Sequence, residues 1–271
     1  MFAMPLSYIA VYVVCFLASL LGPLCGIGGG VIIKPVVDAL GVMPVAVVSF
    51  LSSISVLTMS LATLAQNAAA KTSTVNVRSL LPLALGSAIG GVVGKALFNG
   101  MAASFPDADA VGAVQALVLI ALSVLVLVYT LNKSRIHGLH IEAVATKAAV
   151  GFIAGTCWSF LGIGGGPFNL AILTFFFAME SKPAAQASLF IIAFSQTASL
   201  IYSMATGSVP DVALVALAGA CVAAVAGSVV GRHLVKKMDS AAVDRLYLVS
   251  LIIIIAISCY NAAHFTGFLF F

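Results

Sequence analysis

Two identical pentapeptides are the first residues in this chain that invite a chemical reading. Gly26-Ile27-Gly28-Gly29-Gly30 recurs as Gly162-Ile163-Gly164-Gly165-Gly166, 136 residues later. Glycine is a poor helix former and loses the most backbone entropy on ordering. Each knot therefore breaks an otherwise apolar helical stretch into two pieces. The second piece starts directly after the glycines, where bare N–H groups and the positive end of the helix dipole favour an anion. Gly28, Gly29 and Gly30, with Gly164, Gly165 and Gly166, are thus candidate substrate-binding positions. The competing reading is that the glycines only permit a tight hairpin and a close helix crossing. A phosphate loop is excluded, since no Lys-Ser or Lys-Thr pair follows and no βαβ context exists.

Polar side chains near the knots extend the candidate site. Lys34 follows the first break closely; it either neutralises an anion or snorkels from a short segment. Asn169 follows the second break, where it either donates its amide to an anion or caps the next helix. Ser49, Ser52, Ser53 and Ser55 lie in the span after the first knot, and Ser188, Ser195 and Gln196 in the span after the second. Serine in a membrane helix often bonds only its own backbone, whereas Gln186 and Gln196 are harder to bury without a role. Asp38 and Glu180 end the two short pieces, where they either exchange protons or simply meet water. Trp158, just before the second knot, either lines a cavity or packs. Lys95 and Arg232 stand near helix ends and read as snorkelling anchors. The four histidines lie in loops or at helix ends. No Ser–His–Asp set, carboxylate pair or metal-ligand cluster converges, so neither catalysis nor a cofactor or metal is expected.

The elements that position these residues follow from composition. Of 271 residues, 62% are hydrophobic and 7% charged, against about 25% charged in a soluble domain. Such a chain cannot cover an aqueous surface. Its apolar runs, such as 6–25 and 246–259, approach the roughly 20 residues that cross a bilayer core of about 30 Å. The first run lacks a preceding Lys or Arg and exceeds a signal-peptide core, so it is expected to be a membrane span. The small positive net charge is expected of loops at a membrane and does not point to nucleic acid. Five cysteines at irregular spacing, all in apolar runs, give no disulfide framework.

Helical segments are expected at about 6–25, 31–41, 44–66, 79–99, 111–131, 145–161, 167–180, 184–206, 211–234 and 243–263. The two halves echo one another. After each knot a proline opens the next helix (Pro44, Pro183), with a serine five residues on (Ser49, Ser188). Gly86, Gly90 and Gly94 match Gly219, Ala223, Gly227 and Gly231; each series precedes a cation, Lys95 or Arg232. Small residues four apart let helices approach closely in lipid. The expected organisation is a first transmembrane repeat over 1–131, a basic cytoplasmic linker over 132–144 and a second repeat over 145–271.

Charge placement orients the repeats. If each broken segment returns to its starting side, each half crosses an odd number of times and the second half is inverted. Lys71, Arg78, Lys133, Arg135, Lys147, Lys182, Arg232, Lys236, Lys237 and Arg245 then share the cytoplasmic side, while Asp107, Asp109 and Asp211 lie outside. Parallel halves would split those cations evenly. The fold class is therefore an all-α polytopic membrane protein of two inverted repeats, each a glycine-broken hairpin followed by three transmembrane helices, with both termini outside.

The segment GPLCGIGGGVIIKPVV, its echo FLGIGGGPFNLAILTFFF and the two glycine-spaced helices resemble the TauE/SafE sulfite exporter family, also called the toluene-sulfonate uptake permease family. The resemblance covers nearly the whole chain. It implies secondary transport of a small sulfur oxyanion or organosulfur anion, such as sulfite, a sulfonate or sulfoacetate, across a bacterial plasma membrane. It carries the family's glycine breaks onto Gly26–Gly30 and Gly162–Gly166. Lys34 has Leu170 as its echo, so charge there is not symmetric. Alternatives remain a carrier of a small carboxylate and a channel-like anion pore. Expected partners are the anion, membrane lipid, protons as coupling ion and a second copy of the chain.

Overall fold

A computed structural model describes residues 6–105, 108–133 and 135–267. Ten helices form α1 (Leu6–Cys25), α2 (Gly30–Leu40), α3 (Val45–Ala69), α4 (Val77–Ser104), α5 (Ala108–Asn132), α6 (Val144–Leu161), α7 (Gly166–Phe177), α8 (Ser181–Ala205), α9 (Leu214–Val235) and α10 (Ser240–Phe265). Among the described residues there is no strand. All but α2 and α7 are long and apolar enough to span a membrane. Leu125, Leu131, Leu214 and Val222 are exposed, as suits residues facing lipid.

All ten expected segments are present, with α4, α5 and α10 extending beyond their expected ends. The serine register is corrected. Helices α3 and α8 start 136 residues apart, like the knots, so Pro44 matches Glu180, both capping their helices. Ser188 is consequently the counterpart of Ser52 and not of Ser49. Asp107 lies outside the described residues.

Close glycine contacts fix the helix directions. Gly86, Gly90 and Gly94 of α4 lie in turn against the backbone of Ala148, Phe152 and Thr156 of α6. A Cβ at any of the three would strike a backbone atom. In the other half, Gly227 and Gly231 of α9 lie against Phe16 and Leu20 of α1. Both pairs therefore run parallel, and each joins one half of the chain to the other. Helix α1 also runs with α3, since Cys15 meets Ser55 and Gly22 faces Met59. The short turn over 70–76 reverses the chain between α3 and α4. It follows that α1 and its counterpart α6 run in opposite directions.

Lys133, Lys147, Lys182 and Arg232 gather at one end of the bundle. Lys133 pairs with Asp244 at 2.6 Å, and Lys147 donates to Ser79. Lys182 donates to the Met238 carbonyl, while Arg232 donates to Asn67 and Thr72. Gln186, at the start of α8, accepts from the Thr74 amide and donates to the Thr72 carbonyl, tying that turn to the same end. The far end holds the start of α1 against α9, through Tyr12 and Val215, and the start of α5 against the end of α10, through Gly112 and Phe265. Helix α1 runs toward the basic end and α2 turns back from it: Ile33 and Val37 pack with Val11, Cys15 and Ala18. In the second half α7 returns to the basic end, where the Leu139 and Ile141 amides donate to the Phe175 and Phe176 carbonyls.

Candidate functional site

The two glycine knots meet each other. Gly30 lies against the Ile163 carbonyl and Gly28 near the Gly164 carbonyl. Ile27, Val31, Val56, Ile163 and Ile192 surround them and are fully buried. A Cβ at Gly30 would come within 2.5 Å of the Ile163 oxygen. At Gly165 the backbone has a φ of 97°, and a Cβ would approach Asn169 and Trp158 to 2.6 Å. In this conformation the knots form a fully buried crossing of two hairpin tips. Gly28, Gly29, Gly30, Gly164, Gly165 and Gly166 line none of the cavities described below.

Several expected site residues serve this crossing. Ser188 donates to the Gly26 carbonyl at 2.9 Å, and Ser52 donates to the Gly30 carbonyl at 3.5 Å. Ser49 is buried against Gly162, with no partner for its hydroxyl. Asn169 does not cap α7, whose N-terminal position is Gly165. Its Oδ1 accepts from the Trp158 indole at 2.7 Å, leaving its Nδ2 without a partner. Trp158 stacks on Phe168 at 4.8 Å between ring centroids and packs in the core. Lys34 does not snorkel: it is buried in an ion pair with Asp38, 2.5 Å away. Glu180 is exposed at the start of α8.

Two cavities flank the crossing, and they are counterparts. The first, about 170 Å³, opens toward the basic end between α1, α3, α8 and α9. Pro23, Thr63, Asn67, Gln186, Leu189 and Arg232 line it. The second, about 10 Å³, lies between α3, α4, α6 and α8. Ser159, Ser199, Ser203, Phe50, Ser53 and Lys95 hold the corresponding positions there. The pairing follows the 136-residue offset of the knots and of α3 with α8, while Lys95 and Arg232 are 137 apart, like the starts of α4 and α9 and like Gly94 and Gly231 just before them.

The smaller cavity is nearly filled by its own side chains, most of them polar. Lys95 is 7% exposed, and among the described residues no carboxylate pairs with it; its Nζ stands 4.9 Å from the Phe98 ring centroid. Burial thus corrects its reading as a snorkelling anchor. Gln196 joins the lining at 1% exposure, and neither its amide nitrogen nor its oxygen has a partner. Ser159 shares a hydrogen bond of 2.6 Å with Ser199, whose hydroxyl also lies 2.9 Å from the Gly91 carbonyl. A buried cation, an unpartnered amide and clustered hydroxyls are the donor set that holds an oxyanion away from water. Arg232 lines the larger cavity together with Lys182 and Lys236.

Of the expected site residues, Ser53 and Gln196 are brought together here, while Lys34 lines a separate cavity. Ser159, Ser199 and Ser203 escaped the sequence reading. Their signal was weak, because serine in a membrane helix is common. Lys95 carried the stronger signal, a cation within an apolar run.

A family model described as Sulfite exporter TauE/SafE matches residues 11–258. No curated protein and no solved structure matches the chain.

Proposed function

We propose that this chain, which belongs to the TauE/SafE sulfite exporter family, is a secondary carrier that moves a small sulfur oxyanion or sulfonate by alternating access between its two counterpart cavities. The family supplies membrane transport and the link to sulfur anions. The observation that carries the mechanism is the mismatch of the two cavities: matched residues enclose about 170 Å³ at the basic end and about 10 Å³ on the other side. Two counterpart sites, one roomy and one nearly filled, are what a carrier built of inverted repeats presents in a single state. The opposed directions of α1 and α6 support such repeats.

In this reading the basic end faces the cytoplasm, by the positive-inside rule, in a plasma membrane with both termini outside. The carrier is then open inward. An anion entering from that end meets Arg232 and Lys182 first and stops at the glycine crossing, where Ala185 touches Gly26. Rocking one half against the other closes this cavity and opens the Lys95 cavity. The donors around Lys95 come from four helices. Such a set suits the three oxygens of a sulfite or sulfonate better than the planar pair of a carboxylate. The interlocked glycines are the fulcrum, because only residues without a Cβ let the hairpin tips touch.

The test uses purified chain in liposomes, offered sulfite, thiosulfate, small sulfonates and small carboxylates. Saturable uptake of a sulfur anion is expected. Thiol labelling of Thr63→Cys from the cytoplasmic side and of Ser203→Cys from the other side should change in opposite senses when the substrate is added. Parallel changes at both sites, or flux that never saturates, would replace the carrier with an anion pore. Uptake of carboxylates alone would overturn the substrate.

A further inference from the structure

A third cavity, about 10 Å³, lies among α2, α5 and α10, away from the Lys95 and Arg232 cavities. It gathers buried oxygens that have no hydrogen-bond partner: Asp38 Oδ1, Gln115 Oε1, Ser258 Oγ and Asn261 Oδ1. All four residues are at least nine-tenths buried. The other ends of these side chains are anchored. Asp38 Oδ2 accepts from Lys34 at 2.5 Å, Gln115 Nε2 donates to the Phe160 carbonyl at 2.6 Å, and Asn261 Nδ2 donates to the Pro35 carbonyl at 2.8 Å. With each nitrogen thus occupied, both amide groups turn their oxygens free. Three of the four atoms are pure acceptors, and an acceptor buried without a donor forfeits its solvation.

The other half of the chain provides a control. The counterpart cavity, between α5, α7 and α10, has Leu170 and Thr174 where this one has Lys34 and Asp38. There the polar groups are partnered. The Tyr129 and Thr174 hydroxyls share a bond, Tyr247 donates to the Pro167 carbonyl, and Asp244 accepts from Lys133 and Ser181. Unpartnered oxygens are therefore not inherent to this helix crossing but belong to one side of the molecule.

We propose that Asp38, Gln115, Ser258 and Asn261 form a binding site for a small monovalent cation such as sodium. Oxygen-only ligands select a hard cation. Lys34 lines the same cavity and already pairs with its single carboxylate. The charge is therefore too small for a divalent ion, which draws on several carboxylates, and a monovalent ion displaces the Lys34 ammonium from Asp38. The cavity, about 10 Å³, has room for no more than one water-sized ion. Because α2 springs directly from the first glycine knot, an ion held among α2, α5 and α10 adjoins the crossing about which the two halves rock.

The experiment measures the cation alone on the purified full chain, so its failure leaves the anion-carrier reading intact. Thermal unfolding is followed in sodium, potassium and choline chloride at equal ionic strength, together with equilibrium binding of radioactive sodium. A saturable stabilisation by sodium, absent with choline, is expected. Ser258→Ala and Asn261→Leu should each weaken sodium affinity about tenfold or more, the loss expected of a ligand contact to a charged group. Ser258→Ala is the mild variant, should Asn261→Leu fail to fold. Identical unfolding in all three salts overturns the proposal, as does sodium binding unchanged in folded Ser258→Ala and Asn261→Leu proteins. Stabilisation by acid in place of sodium would assign the site to a proton on Asp38 and equally overturn it.

Discussion

Replacing Lys95 by methionine separates the transport reading from a structural one. The side chain keeps its length and loses its charge. In the wild type this cation is 7% exposed, has no carboxylate partner among the described residues and lies beside the unpartnered amide of Gln196. If it binds the anion, its loss removes a charged hydrogen bond, worth about 1.5–3 kcal/mol. That corresponds to a KM for sulfite uptake raised about 10- to 150-fold. Stability should move the other way or not at all. A cation deep in a bilayer costs about 2.5–3.5 kcal/mol by insertion scales, and losing the contact with Phe98 offsets about 0.5–2 kcal/mol of the relief. Lys95→Met should therefore unfold at the wild-type temperature or above it while its uptake fails. Uptake kinetics in liposomes and thermal unfolding in detergent read the two effects on one preparation. A lowered unfolding temperature with unchanged KM would refute the reasoning and make Lys95 a structural anchor.

Other consequences are simpler. Gly90→Ala places a Cβ against the Phe152 carbonyl between parallel α4 and α6, a backbone contact that cannot swing aside; destabilisation of about 1–3 kcal/mol or more is expected, measured by chemical unfolding. Gly165→Ala forces a side chain into a backbone with φ 97° and against Trp158; it should abolish uptake while the protein still reaches the membrane, which fractionation and liposome flux would establish together. Lys133→Met breaks the half-exposed pair with Asp244 and should shift stability by less than about 1 kcal/mol in equilibrium unfolding, as exposed pairs do.

Much of the architecture was legible in the chain. Helix existence was readable because a span needs an apolar run of fixed length, and helix breaks because consecutive glycines cannot hold a helix in lipid. The glycine series of α4 and α9 announced close packing, though the partners, α6 and α1 of the opposite half, were not readable. Register after the knots was misread through Pro44 and Pro183, because a proline can stand either at the helix cap or within the first turn. Polar residues divided less cleanly. Ser52 and Ser188 turned out to secure the knots, while Gln115 and Asn261, amides in apolar spans, went unremarked although burying an amide in lipid is a strong signal.

By itself, the sequence determined that the chain lies in a membrane, that it is built twice from one pattern, and that both copies break at the same place. Those are properties of composition and local spacing, and they survive without knowledge of any long-range contact. Only the tertiary structure decided what the breaks face. Whether a helix start meets an anion or another helix start depends on which half lies opposite, and here the knots fill one another while Lys95 and Gln196, distant in sequence, share a pocket. The same holds for Lys34, whose charge is matched one turn away by Asp38, and for Gln115, Ser258 and Asn261, which line one cavity from α5 and α10. Burial sets the worth of each of these groups, and burial belongs to the assembled helices.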